Sequence, residues 1–181
     1  MAPRKIIVYI ATSADGYIAR DDDSVDWLNR AHAAGDYGMA EFRASVDTIV
    51  YGRKTYEFGV SHGVKFDAAT KHYVFTHEPQ ARAAPNVTFV NEPVDVFANR
   101  LRAVPGKDIW LMGGGSLIGS FADADQVDEF IIHTIPVLIG AGIPLLKPHR
   151  RTLPLNLRST KPFSDGVVRL HYAVARGATQ R

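Results

Sequence analysis

Near the start of the chain, Ile6-Ile7-Val8-Tyr9-Ile10-Ala11 is a short, almost wholly apolar run rich in β-branched residues. Such a run reads as a strand buried on both faces, the kind found in parallel sheets. Thr48-Ile49-Val50-Tyr51, His72-Tyr73-Val74-Phe75-Thr76, Val87-Thr88-Phe89-Val90 and Ile109-Trp110-Leu111-Met112 are further strands of this type. Between them the period changes. Val94, Phe97, Leu101 and Val104 recur at helical spacing and predict one amphipathic helix packed on the sheet. Shorter helices are predicted from Tyr37 to Ser45, from Arg53 to Phe58 and from Leu117 to Phe121. Thr12 to Ser24, with Gly16 and the Asp21-Asp22-Asp23 run, is too polar for core and reads as an exposed loop. The last third is strand-rich, with Val127 to Ile135, Leu155 to Thr160, and Val168, Leu170, Tyr172 and Val174 alternating down the final segment. Early βαβ order followed by late hairpin-like strands predicts an α/β fold with a mostly parallel central sheet and an antiparallel C-terminal edge strand.

Composition narrows the function classes. With 181 residues, 46% hydrophobic and 22% charged, the chain suits one globular domain spanning 1–181 and needs no covalent staples. Cysteine is absent, which removes disulfides, thiolate nucleophiles and every cysteine-based metal site. The seven histidines, at 32, 62, 72, 77, 133, 149 and 171, form no metal-ligand spacing. A formal charge of +2 with scattered Lys and Arg offers no basic stripe, so nucleic acid is not an expected partner. No apolar run is long enough to span a bilayer and no signal peptide opens the chain, so no membrane partner is expected and the cytoplasm is the default location.

Two strand-to-helix junctions carry candidate chemistry. At the first, Gly113-Gly114-Gly115-Ser116 follows a strand and precedes Leu117. Glycine lets backbone N–H groups approach a pyrophosphate, the helix N-terminus adds partial positive charge, and Ser116 adds a hydroxyl donor. The competing reading is a tight turn. No lysine follows, so this is not a P-loop, and the spacing and late position do not fit the Rossmann fingerprint. At the second junction, Gly52-Arg53-Lys54-Thr55 places two cations and a hydroxyl where a ribose phosphate would need them. A solvated first helical turn is the alternative there.

Three segments together resemble the dihydrofolate reductase superfamily: Ala11-Thr12-Ser13-Ala14-Asp15-Gly16-Tyr17-Ile18-Ala19, Val46-Asp47-Thr48-Ile49-Val50-Tyr51-Gly52-Arg53-Lys54-Thr55-Tyr56 and Trp110-Leu111-Met112-Gly113-Gly114-Gly115. Asp128-Glu129 leading into Pro136-Val137-Leu138-Ile139-Gly140-Ala141-Gly142-Ile143-Pro144-Leu145 is similar to the branch containing the reductase domain of bifunctional riboflavin-biosynthesis proteins. The resemblance spans nearly the whole chain in the same motif order. It implies a three-layer α/β/α domain that binds NADPH. Ala11 and Ile18 would lie near the nicotinamide, Gly52 to Thr55 and Thr76 near the adenosine and its phosphates, and Gly113, Gly114, Gly115, Ser116 and Leu117 around the pyrophosphate. Core packing alone would also account for Ala11, Ile18 and Leu117.

The reaction so implied is hydride transfer from NADPH to a small heterocyclic, carbonyl or imine substrate, the cofactor carrying the hard chemistry. Its model is 5-amino-6-(5-phosphoribosylamino)uracil reductase. Reduction of dihydrofolate is the runner-up, because alignment on Phe42 puts Gly38 where those enzymes resemble one another in an acid. Asp36 is the candidate proton donor, with water the alternative source and a plain surface carboxylate the competing reading. The resemblance also puts Trp27 in a loop over the nicotinamide as a pocket wall, against a plain core aromatic. A nucleotide-binding protein without turnover is the reading from another class. The resemblance further implies a homodimer through the C-terminal strands.

Overall fold

The computed structural model describes residues 3–29, 35–78, 83–147 and 151–176. In chain order the strands are β1 (Ile6–Ser13), β2 (Tyr17–Ala19), β3 (Val46–Gly52), β4 (Lys71–Phe75), β5 (Val87–Val90), β6 (Asp108–Gly113), β7 (Glu129–Ile135), β8 (Ile143–Pro144), β9 (Leu155–Pro162) and β10 (Val168–Val174). The helices are α1 (Met39–Ser45), α2 (Arg53–Ser61), α3 (Val94–Arg102) and α4 (Gly115–Asp123), with a 3₁₀ turn at Asp26–Leu28.

Eight strands form one sheet in the order β5-β4-β3-β6-β1-β7-β10-β9. From β5 to β7 all neighbours are parallel, as the doubly buried runs require. β10 then runs antiparallel to β7 and β9 antiparallel to β10, so the antiparallel edge holds two strands instead of the single one expected. Alternation along each strand sends side chains to opposite faces. Ile6, Val8, Val50, Ile109 and Leu111 meet Phe97 and Leu101 of α3 and Ile118 and Phe121 of α4. Ile7, Tyr9, Ile49, Tyr51 and Trp110 meet Phe42 of α1 and Tyr56 of α2 on the other face. The architecture is therefore helix, sheet, helix in three layers.

Some boundaries depart from the sequence pattern. The segment expected as a loop between Thr12 and Ser24 contains the end of β1 and all of β2, which pairs with β8 as a separate two-stranded sheet. Helix α3 stops at Arg102, leaving Val104 exposed, since the residue before Pro105 is biased away from helical geometry. Helix α1 begins at Met39, two residues later than expected, after Gly38 in a left-handed conformation. No helix among the described residues is long and apolar enough to cross a membrane.

Two histidines are buried in these layers. His133 lies against Tyr9 and donates to the Tyr37 carbonyl at 3.1 Å, and His72 lies 3.1 Å from the Tyr51 hydroxyl. Burial, which penalises the charged imidazolium, pushes both below the usual histidine value. Above pH about 6.5 both are neutral in the folded and unfolded chain, and stability is fully present. As pH falls below that value, the unfolded chain takes up protons that the folded imidazoles refuse, so stability declines. Urea midpoints from neutral to mildly acidic pH are expected to fall, with a shallower slope in the His72→Gln/His133→Gln variant. An equal slope would remove these two residues as the cause.

Candidate functional site

A cleft of about 640 Å³ opens at the carboxyl ends of β1, β3, β4, β5 and β6. The chain passes from β1 to β3 and returns to insert β6 between them, so the strand order reverses beside β1. Open α/β sheets place their ligand crevices at such reversals. The volume lies in the usual range for small-molecule and cofactor sites.

Apolar residues line much of the cleft, among them Ile10, Ala11, Ile18, Ala19, Val25, Leu28, Met112 and Ile143. Polar side chains line it as well: Arg53, Lys54, Thr55, Thr76, His77, Asn91, Ser116, Ser120 and Lys147. The N-termini of α2 and α4 both contribute to this lining, through Gly52 to Thr55 and Gly114 to Leu117. Neither helix has a side-chain cap and neither carries an acid in its first turn. Uncapped N–H groups and the helix dipole make such ends attractive to anions. The two ends touch: a Cβ built on Gly52 would lie 3.5 Å from the Gly113 carbonyl and the Gly114 nitrogen.

Eleven of the twelve residues predicted to hold a cofactor line this one cleft, although they come from five separate segments. Gly113 is the exception. Its φ of +119 is a conformation that glycine adopts readily, whereas a Cβ there would make only ordinary contacts with Ile118 at 3.5 Å and Ile10 at 3.8 Å. Gly115 lines the cleft and has a packing role besides. A Cβ there would come within 2.4 Å of the Pro144 carbonyl, so close packing of α4 on the β8 segment already demands a glycine.

The family model for the RibD C-terminal domain matches residues 4–169. The chain belongs to the RibD C-terminal domain family. It is 42% identical over 173 residues to the uncharacterised protein YwjB of Bacillus subtilis, covering 95% of this chain and 99% of that one. A second uncharacterised protein of that organism, YyaP, is 34% identical over 181 residues, covering 93% of this chain and 94% of the other. Among solved structures, a putative riboflavin biosynthesis protein from Shewanella sp. PV-4 superposes with TM-score 0.86 at 26% identity, covering 95% of this chain and 99% of that one. A dihydrofolate reductase from Enterococcus faecalis, complexed with NADP(H), shares the fold with TM-score 0.66 at 14% identity over 94% of this chain and 96% of its own.

Both residues assigned to the reaction itself fall outside the cleft of this RibD-family member. Asp36 accepts hydrogen bonds from the Gly38 and Ala40 amides at 2.9 and 2.8 Å, on the surface at the start of α1. Those amide bonds hold its carboxyl below the usual aspartate value, which keeps it ionised and unsuited to donating a proton. Trp27 is not a wall either. It is buried among Ile135, Val167 and Phe163, and its neighbours Val25 and Leu28 face the cleft in its place. Sequence reasoning missed His77, Asn91, Ser120 and Lys147. His77 directly follows Thr76 at the end of β4, a local cue that was available. Lys147 has no such cue, because the pairing of β2 with β8 puts its segment beside α4.

Proposed function

We propose that this protein is an NADPH-dependent reductase acting on a small heterocyclic substrate, such as a pyrimidine, that carries a C=N, C=C or C=O bond. The observation that carries the reading is the convergence of two uncapped helix N-termini, with Arg53, Lys54, Thr55 and Ser116, on one cleft that is also lined by apolar side chains. That donor set suits a phosphorylated dinucleotide: anion sites for the phosphates and an apolar floor at Ala11, Ile18 and Met112 for a flat ring. Membership of a family whose relatives include reductases supports it. A similar solved structure, from Thermotoga maritima, is described as a deaminase and 5-amino-6-(5-phosphoribosylamino)uracil reductase, and this chain spans 57% of it.

NADPH, when bound, supplies the hydride. The protein's part is positioning. Gly114, Gly115 and Ser116 would hold the diphosphate, Arg53, Lys54 and Thr55 the adenosine phosphate, and the apolar lining would exclude water around the transfer. With Asp36 committed to α1, protonation of the product falls to water. Titration of the purified protein with NADPH and NADH, followed by a screen for substrate-dependent NADPH oxidation, tests the reading. Tight binding with turnover is expected. Binding without turnover on any pyrimidine, imine or carbonyl acceptor would favour a cofactor-binding protein, and binding of neither would overturn the proposal.

The assembly proposed is a homodimer through the C-terminal strands. Every residue of β9 is exposed, including Leu155 at 40% and Leu157 at 56%, and its outer edge has no strand partner among the described residues. Exposed edges of this kind invite pairing with another chain. Light scattering is expected to give twice 19.9 kDa, and Leu155→Lys/Leu157→Lys to give the monomer. A monomeric wild-type protein would sink the assignment.

A further inference from the structure

The cations recognised in the sequence are not free to serve a ligand without competition. Arg53 lies 3.5 Å from Glu57 and 3.8 Å from Glu78, and Lys54 lies 3.4 Å from Asp23. Lys147 differs. It lines the same cleft, its side chain is exposed, and it has no carboxylate partner among the described residues. Its backbone is tied to α4: the Lys147 N–H donates to the Gly115 carbonyl at 3.3 Å, and two residues earlier the Leu145 N–H donates to the Gly16 carbonyl at 3.1 Å. The close approach of the Pro144 carbonyl to Gly115 adds a second contact between this segment and α4. The backbone that carries this unpaired lysine is thereby held beside the first turn of α4, where Ser116 is exposed and no acid balances the charge.

We propose that Lys147 is a diphosphate-binding residue, the cation that neutralises the pyrophosphate of a dinucleotide lying across the N-terminus of α4. The inference rests on the reductase reading above and adds a division of labour to it. Arg53 and Lys54 serve the phosphate found in NADPH alone, whereas Lys147 serves the diphosphate common to NADPH and NADH. An ammonium acts on phosphate as a point charge without bidentate geometry, so arginine at the same place retains most of the attraction.

The test compares wild type with Lys147→Ala and Lys147→Arg by fluorescence titration with NADPH and with NADH, alongside the thermal midpoint of the unliganded protein. Adenosine 2′-monophosphate, which lacks the diphosphate, serves as the control ligand in competition with NADPH. Lys147→Ala is expected to weaken both dinucleotides alike, by roughly tenfold to a hundredfold, with adenosine 2′-monophosphate binding and the thermal midpoint unchanged. Lys147→Arg is expected to restore most of the loss. Unchanged affinity for both dinucleotides in Lys147→Ala would overturn the inference and leave the reductase reading standing, as would a loss confined to NADPH. A wild-type protein that binds neither cofactor would overturn that reading and this inference together.

Discussion

Replacing Gly115 with alanine is expected to damage both folding stability and cofactor binding, whereas the same change at Gly114 is expected to spare folding. The two glycines are adjacent, yet their surroundings differ. A Cβ on Gly115 would stand 2.4 Å from the Pro144 carbonyl oxygen and 3.2 Å from that of Leu145, both backbone atoms that no side-chain rotation can move aside. Relief requires α4 to part from the β8 segment, which also breaks the Lys147-to-Gly115 hydrogen bond. Overpacking of this sort costs about 1–3 kcal/mol. A Cβ on Gly114 would meet the Thr55 hydroxyl at 3.4 Å, an ordinary contact at the cleft surface. Any loss in Gly114→Ala should therefore appear in NADPH affinity, because the methyl group stands where a diphosphate would approach the backbone. Urea midpoints combined with NADPH titration separate the cases. Equal midpoints for Gly115→Ala and wild type would mean that the β8 segment yields easily and that the glycine is kept for the ligand alone.

The contrast shows where sequence and structure part company. The central strands were legible because a strand buried on both faces leaves a local signature, and β1, β3 and β6 all carry it. Most residues of the cleft junctions were legible as well, since glycines and cations at strand-to-helix junctions mark chain direction and charge together. β2 and β8 were not, being three and two residues long and defined by their pairing with each other across more than a hundred positions. That pairing is what brings Ile143 and Lys147 to the cleft. Asp36 misled for a related reason. A short acid near a helix start serves the backbone amides there as readily as it serves chemistry, and the choice depends on which way the preceding turn faces. Trp27 likewise reads the same in sequence whether it walls a pocket or fills a core, and the packing of Ile135 and Val167 decides it.

Removing both side-chain charges of the second junction, in Arg53→Ala/Lys54→Ala, is expected to abolish most of the preference for NADPH over NADH. Two cations in the first turn of α2 oppose the helix dipole, so in the free protein their placement is electrostatically unfavourable. Asp23, Glu57 and Glu78 offset this, but all these ion pairs are at 3.4 Å or longer and solvent-exposed. Such pairs contribute at most about 1 kcal/mol. A ribose phosphate offers a doubly charged acceptor with several oxygens, and charge-assisted bonds to it are stronger than the exposed pairs they displace. The phosphate therefore wins the competition for Arg53 and Lys54. NADPH affinity in the double variant should fall roughly tenfold to a hundredfold, while NADH affinity changes by less than about threefold, since NADH presents only ribose hydroxyls there. In the wild type, added salt should weaken NADPH more than NADH, because screening acts on the extra charge. Equal losses for the two cofactors in the double variant would place Arg53 and Lys54 on the shared diphosphate instead, next to Lys147, and would leave the cleft without a means of telling one cofactor from the other.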